Sequence, residues 1–216
     1  MTRIVSGFAG SLTLAVPRSG TRPTSDRVRE AMFSALSARN AVHGANVLDL
    51  YAGSGALGLE AASRGAASVV LVERNRAAAA ICRTNAAAIL RAAHGSAAQG
   101  RTAPRLNTVV SSVRGFLAGS LASAGGFDLV FLDPPYDLTE TELTADLTAL
   151  EPLLTHDAVI IVERSARSPE PTWPQLLALD RHKDYGDTAV WTAVRATNQP
   201  RSPSQPAYGS HPPRPL

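Results

Sequence analysis

The sequence predicts an α/β protein built on a mostly parallel sheet with helices on both faces. Three observations carry that prediction. Short runs rich in Val, Leu and Ile alternate with helical patterns between residues 47 and 163. These runs are apolar on both faces, as strands are when helices cover both sides of a sheet. The last two strand patterns meet at Gly186-Asp187 with no helix between them, which marks a closing hairpin and an antiparallel strand at one edge.

The elements follow in order. Arg3-Ile4-Val5-Ser6 and Ser11 to Val16 read as two short strands around a Gly7–Gly10 turn. Pro17 to Pro23 is a loop. Thr24 or Ser25 can N-cap a helix to about Arg39, with Val28, Met32, Phe33 and Leu36 as its apolar stripe. Val47 to Tyr51 is the first parallel strand, followed by a Gly-rich turn and a helix over about 56–64. Ser68 to Glu73 is the second, with a helix over about 75–92. Residues 93–105 show no period and read as a loop. Leu106 to Ser111, Phe127 to Leu132 and Ala158 to Glu163 are further strands, with helices near 113–122 and 140–150. Leu176 to Tyr185 and Thr188 to Val194 form the final hairpin. From residue 197 Pro, Ser, Gln and Gly dominate, and 197–216 reads as a disordered tail.

Composition narrows the function classes. The 216 residues are 44% hydrophobic, enough for one domain with a real core. No apolar run approaches the ~18 residues of a membrane span, and the first residues lack the apolar core of a signal peptide. Cys82 is the only cysteine, which excludes an intrachain disulfide and points to a cytoplasmic protein. It falls in an Ala-rich helix and reads as a small buried hydrophobe. The five histidines show no metal-ligand spacing, so no metal is expected. Trp173 and Trp191 sit in apolar context and read as core.

The net charge of +3 is unevenly spread. Arg3, Arg18, Arg22, Arg27 and Arg29 stand against Asp26 alone in the first 29 residues. Residues 30–196 carry 14 basic and 17 acidic side chains, and the last twenty add Arg201 and Arg214. The basic excess therefore sits at the two ends. Arginine suits bidentate phosphate contacts, although genomic base composition can produce the same bias.

Three motifs carry chemistry. In Asp49-Leu50-Tyr51-Ala52-Gly53-Ser54-Gly55, where a strand turns into a helix, Gly53 and Gly55 admit a ligand close to the backbone. Glu73 ends the next strand, 20 residues after Gly53, where an acid can accept from ribose hydroxyls. A pyrophosphate at the turn would be repelled by Asp49. The cationic amino-acid end of S-adenosylmethionine would not, so the acid favours that cofactor. Capping of a backbone turn by Asp49 is the competing reading. Tyr51, Arg74 and Ser112 complete the expected cofactor contacts.

Asp133-Pro134-Pro135-Tyr136 follows a buried strand and forms a rigid polar corner beside a stacking ring. The Asp133 carboxylate and the Pro134 carbonyl can accept the two N–H bonds of an exocyclic amine on a flat base. The prolines stiffen the carbonyl, and Tyr136 can stack on the ring. A Pro-rich turn after a strand is the structural alternative. In the third motif, Arg22-Pro23-Thr24-Ser25-Asp26-Arg27-Val28-Arg29-Glu30 places arginines around a helix N-terminus. With Arg3, it reads as a nucleic-acid docking patch, against the alternative of local helix ion pairs. Glu163 ends a strand near the expected cleft.

On these residues the chain resembles the bacterial 16S rRNA guanine-N2 methyltransferases. The resemblance rests on Arg3 to Gly7, Arg22-Pro23-Thr24 with Asp26 to Glu30, Asp49 to Glu60, Glu73, Leu132 to Tyr136 and Tyr185 to Thr188. It implies a class I S-adenosylmethionine-dependent methyltransferase fold, Rossmann-like, with a seven-stranded sheet and a small N-terminal β-hairpin extension. Residues 1–39 would dock RNA, 40–196 form the methyltransferase domain and 197–216 the tail. It further implies that Asp49, Gly53 and Gly55 hold the methionine end, Glu73 the ribose, and Asp133 to Tyr136 the guanine amine. The substrate would be an assembled or partly assembled 30S subunit, and the enzyme a monomer with no membrane partner. Such enzymes often place an acid after the third strand for the adenine amine. Here Ser111-Ser112 stand there, and a hydroxyl or carbonyl would take that role. Adenine-N6 methylation of DNA or RNA is the nearest alternative. A dinucleotide-dependent oxidoreductase and a non-enzymatic RNA-binding module fit the motifs less well.

Overall fold

A computed structural model describes residues 2–17, 25–96, 102–119 and 126–196. Its centre is a seven-stranded sheet. Strands β3 (Asn46–Leu50), β4 (Ser68–Glu73), β5 (Arg105–Val110), β6 (Phe127–Leu132) and β7 (Leu154–Ser165) run parallel, and β8 (Leu177–Tyr185) and β9 (Thr188–Arg195) close the sheet. The order is β5-β4-β3-β6-β7-β9-β8. β9 is antiparallel to both β7 and β8. The reversed strand is therefore one in from the edge, and β8 at the edge points the same way as the parallel five. The sequence expectation of an antiparallel edge misses this because a hairpin's second strand can insert between its partner and the sheet.

Two apolar clusters lie on the two faces. One packs Val47, Leu59, Leu71, Cys82 and Phe131 together, and the other Leu48, Leu50, Leu132, Leu143 and Ile160. Alternate residues of one strand feed opposite clusters, as the period of two requires. The helices are α1 (Asp26–Ala38), α2 (Ala56–Ser63), α3 (Arg76–Ser96), α4 (Val113–Leu117) and α5 (Glu140–Leu150). Ser25 N-caps α1 through the Val28 N–H. α5 carries a full capping box between Thr139 and Glu142, which explains its sharp start.

Several boundaries differ from expectation. α3 runs to Ser96, into the span expected as a loop from residue 93, and 97–101 lie outside the described residues. β7 extends well beyond 158–163, and the two N-terminal strands shrink to β1 (Thr2–Arg3) and β2 (Thr13–Leu14). Tyr51 leaves β3 with φ 64° instead of extending it. The expected tail, Arg18 and Arg22 lie outside the described residues.

The N-terminal segment packs into the same core as the sheet. Ile4, Leu14, Met32, Phe33 and Leu36 join the cluster containing Val47, Leu59 and Phe131. Polar clamps hold it as well. Fully buried Glu60 of α2 accepts from Val5 N (2.7 Å) and Ser6 N (3.0 Å). Ser63 Oγ accepts from Ala9 N (3.0 Å) and donates to Ser6 O (2.6 Å).

Candidate active site

The parallel register assembles the site. Leu50 lies beside Val72 on one side and Leu132 on the other. Leu132 pairs with Val162, and Glu73 with Val110. One step further along each chain stand Tyr51, Glu73, Asp133 and Glu163, with Ser111 after β5. The carboxyl edge of the sheet therefore brings the Gly-rich turn, Glu73 and the proline corner together, where open α/β sheets bind ligands.

The turn is organised by its acids. Asp49 is 1% exposed, and its Oδ2 accepts from Gly58 N of α2 (2.8 Å). A side chain at Gly58 would collide with Leu71 and Val69, so α2 can lie close enough to the sheet to make that bond. Burial, opposed by the Gly58 bond and helped by Glu73, pushes the Asp49 carboxyl up to about 7. The turn-capping role and a ligand role are thus not exclusive: one oxygen anchors α2, and a cation reaching the carboxyl would favour its charged form.

Glu73 reaches across to the same turn. Its Oε2 accepts from Gly53 N (2.9 Å) and its Oε1 from Asn75 N (2.6 Å). Gly55 adopts φ 82° directly over Cys82, and a Cβ there would lie 2.9 Å from Cys82 Sγ. Cys82 is buried with its thiol pushed up to about 12, chiefly by desolvation, which suits a packing role rather than a nucleophile.

Tyr51 donates its hydroxyl to Asp146 Oδ2 of α5 (2.5 Å). Arg74 and Ser112 are exposed at the rim. Ser112 Oγ caps α4 by accepting from Gly115 N (3.0 Å), while its carbonyl accepts from Ser111 Oγ (3.0 Å).

At the proline corner Pro134 is buried, Asp133 and Pro135 are half-buried, and Tyr136 is 69% exposed. Leu138 N donates to Pro135 O (3.0 Å) and closes the turn. Arg164 of β7 braces it from below, pairing with Glu140 (2.7 Å) and donating to Leu138 O (3.3 Å). Glu163 is buried beside this corner.

The arginine patch is not assembled as expected. Arg29 is fully buried and donates Nη2 to Arg3 O and Asp26 Oδ1, both at 2.6 Å. Desolvation lowers its pKa. It is an internal strut between β1 and α1 and, contrary to the sequence expectation, its burial withholds it from an RNA backbone. Arg3 is exposed and paired with Asp26 (3.2 Å). Arg27 is exposed.

Three side chains that tie these segments together went unread in the sequence: Asp146, Arg164 and Asn85. Asn85 of α3 donates to Ser54 O of the turn and to Ala15 O, and accepts from Ala15 N, all at 2.9 Å. Asn85 and Asp146 are buried, and each is a polar residue within the apolar stripe of its helix. That interruption is the signal that identifies them.

Comparisons with known proteins bear on the family and the fold. The family model described as Conserved hypothetical protein 95 matches residues 2–194. The chain is 36% identical over 188 residues to Ribosomal RNA small subunit methyltransferase D of Escherichia coli K12, covering 87% of this chain and 86% of that protein. The Haemophilus influenzae protein of the same name is 33% identical over 185 residues, covering 85% and 89%. The solved structure of yhhF from Escherichia coli superposes with a TM-score of 0.70 at 35% identity, covering 89% and 97%. The sheet has the class I S-adenosylmethionine-dependent methyltransferase architecture. The chain belongs to the family described as Conserved hypothetical protein 95, and it is a methyltransferase.

Proposed function

We propose that the protein transfers a methyl group from S-adenosylmethionine to the exocyclic N2 amine of a guanine in 16S rRNA. The observation that carries the reading is the strand register, which sets the acidic Gly-rich turn beside Asp133-Pro134-Pro135-Tyr136. The relatives named for small-subunit rRNA support the RNA substrate.

The residues fit the cofactor. Asp49 to Gly55 holds one acid, Asp49, and no basic residue, and Glu73 reaches the turn from β4, which suits an ammonium and a sulfonium and opposes a pyrophosphate. Asp49 and the turn hold the methionine end, and Glu73 the ribose. When bound, the cofactor supplies a methyl already activated by the sulfonium.

The chain's own residues have to make a poor nucleophile react. The lone pair of the guanine amine is delocalised into the ring. Asp133 and the Pro134 carbonyl accept its N–H bonds, which turns the nitrogen towards the methyl and favours tetrahedral character. With the cofactor held there, attack by the nitrogen would displace the sulfur as a neutral thioether, and the amine's extra proton would pass to solvent. Positioning and electrostatics contribute most of the rate. Exposed Tyr136 stacks on the base, offsetting the few kcal/mol that extruding it from a helix costs. The substrate is the assembled or partly assembled small subunit, met in the cytoplasm by a single protein chain. Arg3 and Arg27 contact its backbone, with Arg22 five residues before Arg27 in sequence.

The test is incubation with methyl-labelled S-adenosylmethionine and undermodified small subunits, followed by digestion to nucleosides. Label in N2-methylguanosine is expected. Label in N6-methyladenosine, or none, contradicts the reading.

A further inference from the structure

The turn between β3 and α2 contains a strained tyrosine. Tyr51 has φ 64°, a left-handed conformation shared by just two other non-glycine residues among those described, Ser11 and Asn40. Aromatic residues rarely adopt it. The turn depends on it, because Ala52 N then reaches Val72 O and Gly53 N reaches Glu73 Oε2, each at 2.9 Å.

The group that holds Tyr51 comes from elsewhere in the chain. Its hydroxyl donates to Asp146 Oδ2 at 2.5 Å, and Asp146 is 4% exposed. Asp146 stands on the inner face of α5, among the buried Leu143, Leu147 and Leu150. A carboxylate among leucines costs desolvation, and desolvation raises the Asp146 pKa accordingly. A leucine would pack there without that cost. The same helix starts at the acceptor corner: Thr139 caps it, Leu138 closes the corner onto Pro135, and Arg164 grips both Leu138 and Glu140. Asp146 is thus a direct hydrogen-bonded link between the donor turn and the helix that the acceptor corner leads into.

We propose that Asp146 is a positioning residue for methyl transfer, holding Tyr51 and the cofactor turn in register with the Asp133-Pro134-Pro135-Tyr136 corner. It touches neither substrate and acts through the Tyr51 hydroxyl. The inference rests on the turn being the cofactor site.

The test measures S-adenosylhomocysteine binding by calorimetry, the cofactor KM, kcat and Tm for wild type, Tyr51→Phe, Asp146→Ala and Asp146→Asn. Tyr51→Phe keeps the ring and its packing, so it remains informative if Asp146→Ala fails to fold. The expected result is a cofactor KM raised about tenfold in Tyr51→Phe and at least as much in Asp146→Ala. Asp146→Asn, which keeps an acceptor, should recover most of the loss. The Tyr51→Phe/Asp146→Ala double variant should be no worse than the poorer single variant, because one bond is lost in all three. A merely structural bond would lower Tm and leave the KM of the folded enzyme alone. A Tyr51→Phe enzyme with cofactor KM within twofold of wild type overturns the proposal, as does an Asp146→Asn enzyme as weak as Asp146→Ala. Wild type that binds no S-adenosylhomocysteine overturns the cofactor-site reading together with it, whereas wild-type binding unchanged in Tyr51→Phe overturns the positioning role alone.

Discussion

The ends of β3 and β6 lie side by side and are built in opposite ways. Around the turn that follows β3 the polar side chains point inward: Asp49 bonds Gly58, Glu73 of β4 bonds Gly53 and Asn75, and Tyr51 bonds Asp146. After β6 two prolines stiffen the chain, Arg164 braces it, and Tyr136 remains 69% exposed. Under the proposed function, the difference follows the sizes of the two ligands. A small cofactor gains affinity from a turn that is already shaped before it arrives. A base delivered by a macromolecule needs a rigid edge reachable from outside. Donor binding and acceptor chemistry should therefore respond to different substitutions.

The largest separation is expected at Asp49. Asp49→Ala removes both the α2 anchor and the counter-charge for an ammonium, and hydrogen bonds to charged groups contribute about 1.5–3 kcal/mol. S-adenosylhomocysteine affinity should fall about 100-fold by calorimetry. On the acceptor side, Tyr136→Ala should lower kcat/KM for the small subunit about 10- to 100-fold, the worth of one stacked base at roughly 1–3 kcal/mol. Its cofactor affinity should not move, and a parallel loss of both would erase the distinction.

A pH titration sharpens the donor side. Asp49 is pushed up to about 7, while a cationic ligand requires it ionised. Below that value binding must expel a proton, so cofactor affinity should rise roughly tenfold from pH 6 to pH 8 and then level off. The sign reverses for the empty protein. The folded state holds that proton more tightly than the unfolded chain, so this group's contribution to stability declines as pH rises from about 4 to about 7. A cofactor affinity independent of pH would show that Asp49 serves the fold alone.

The smallest binding effect is expected at the N-terminal arginines, where Arg27 and Arg29 should part company. Arg27→Ala should weaken small-subunit binding a few-fold and reduce the slope of log affinity against log salt by about 1, leaving Tm unchanged. Arg29→Met should lower stability by about 2 kcal/mol through lost buried bonds and leave the salt slope alone. A reduced salt slope in Arg29→Met would contradict its burial.

What was legible in the sequence follows from local signals. The strand bounds Ser68–Glu73 and Phe127–Leu132 were readable because a buried parallel strand is a short, unbroken apolar run with sharp edges. The Gly-rich turn and the proline corner were readable because Gly and Pro restrict the backbone wherever they stand. The long-range side-chain bonds were not, because their partners are far apart in sequence: Tyr51 and Asp146 are 95 residues apart, and Asn85 and Ala15 are 70. Arg29 was misplaced because its charged neighbours outweighed the helical period. That period sets it with Met32, Phe33 and Leu36, on the face that is buried.

The most direct test of the account is one variant read two ways. Asp133→Ala should bind S-adenosylhomocysteine within about twofold of wild type, yet transfer methyl to undermodified small subunits at less than about one-thousandth of the wild-type rate in a single-turnover assay. Loss of cofactor binding in step with activity would make the corner structural, and retained transfer would show that the amine is held elsewhere.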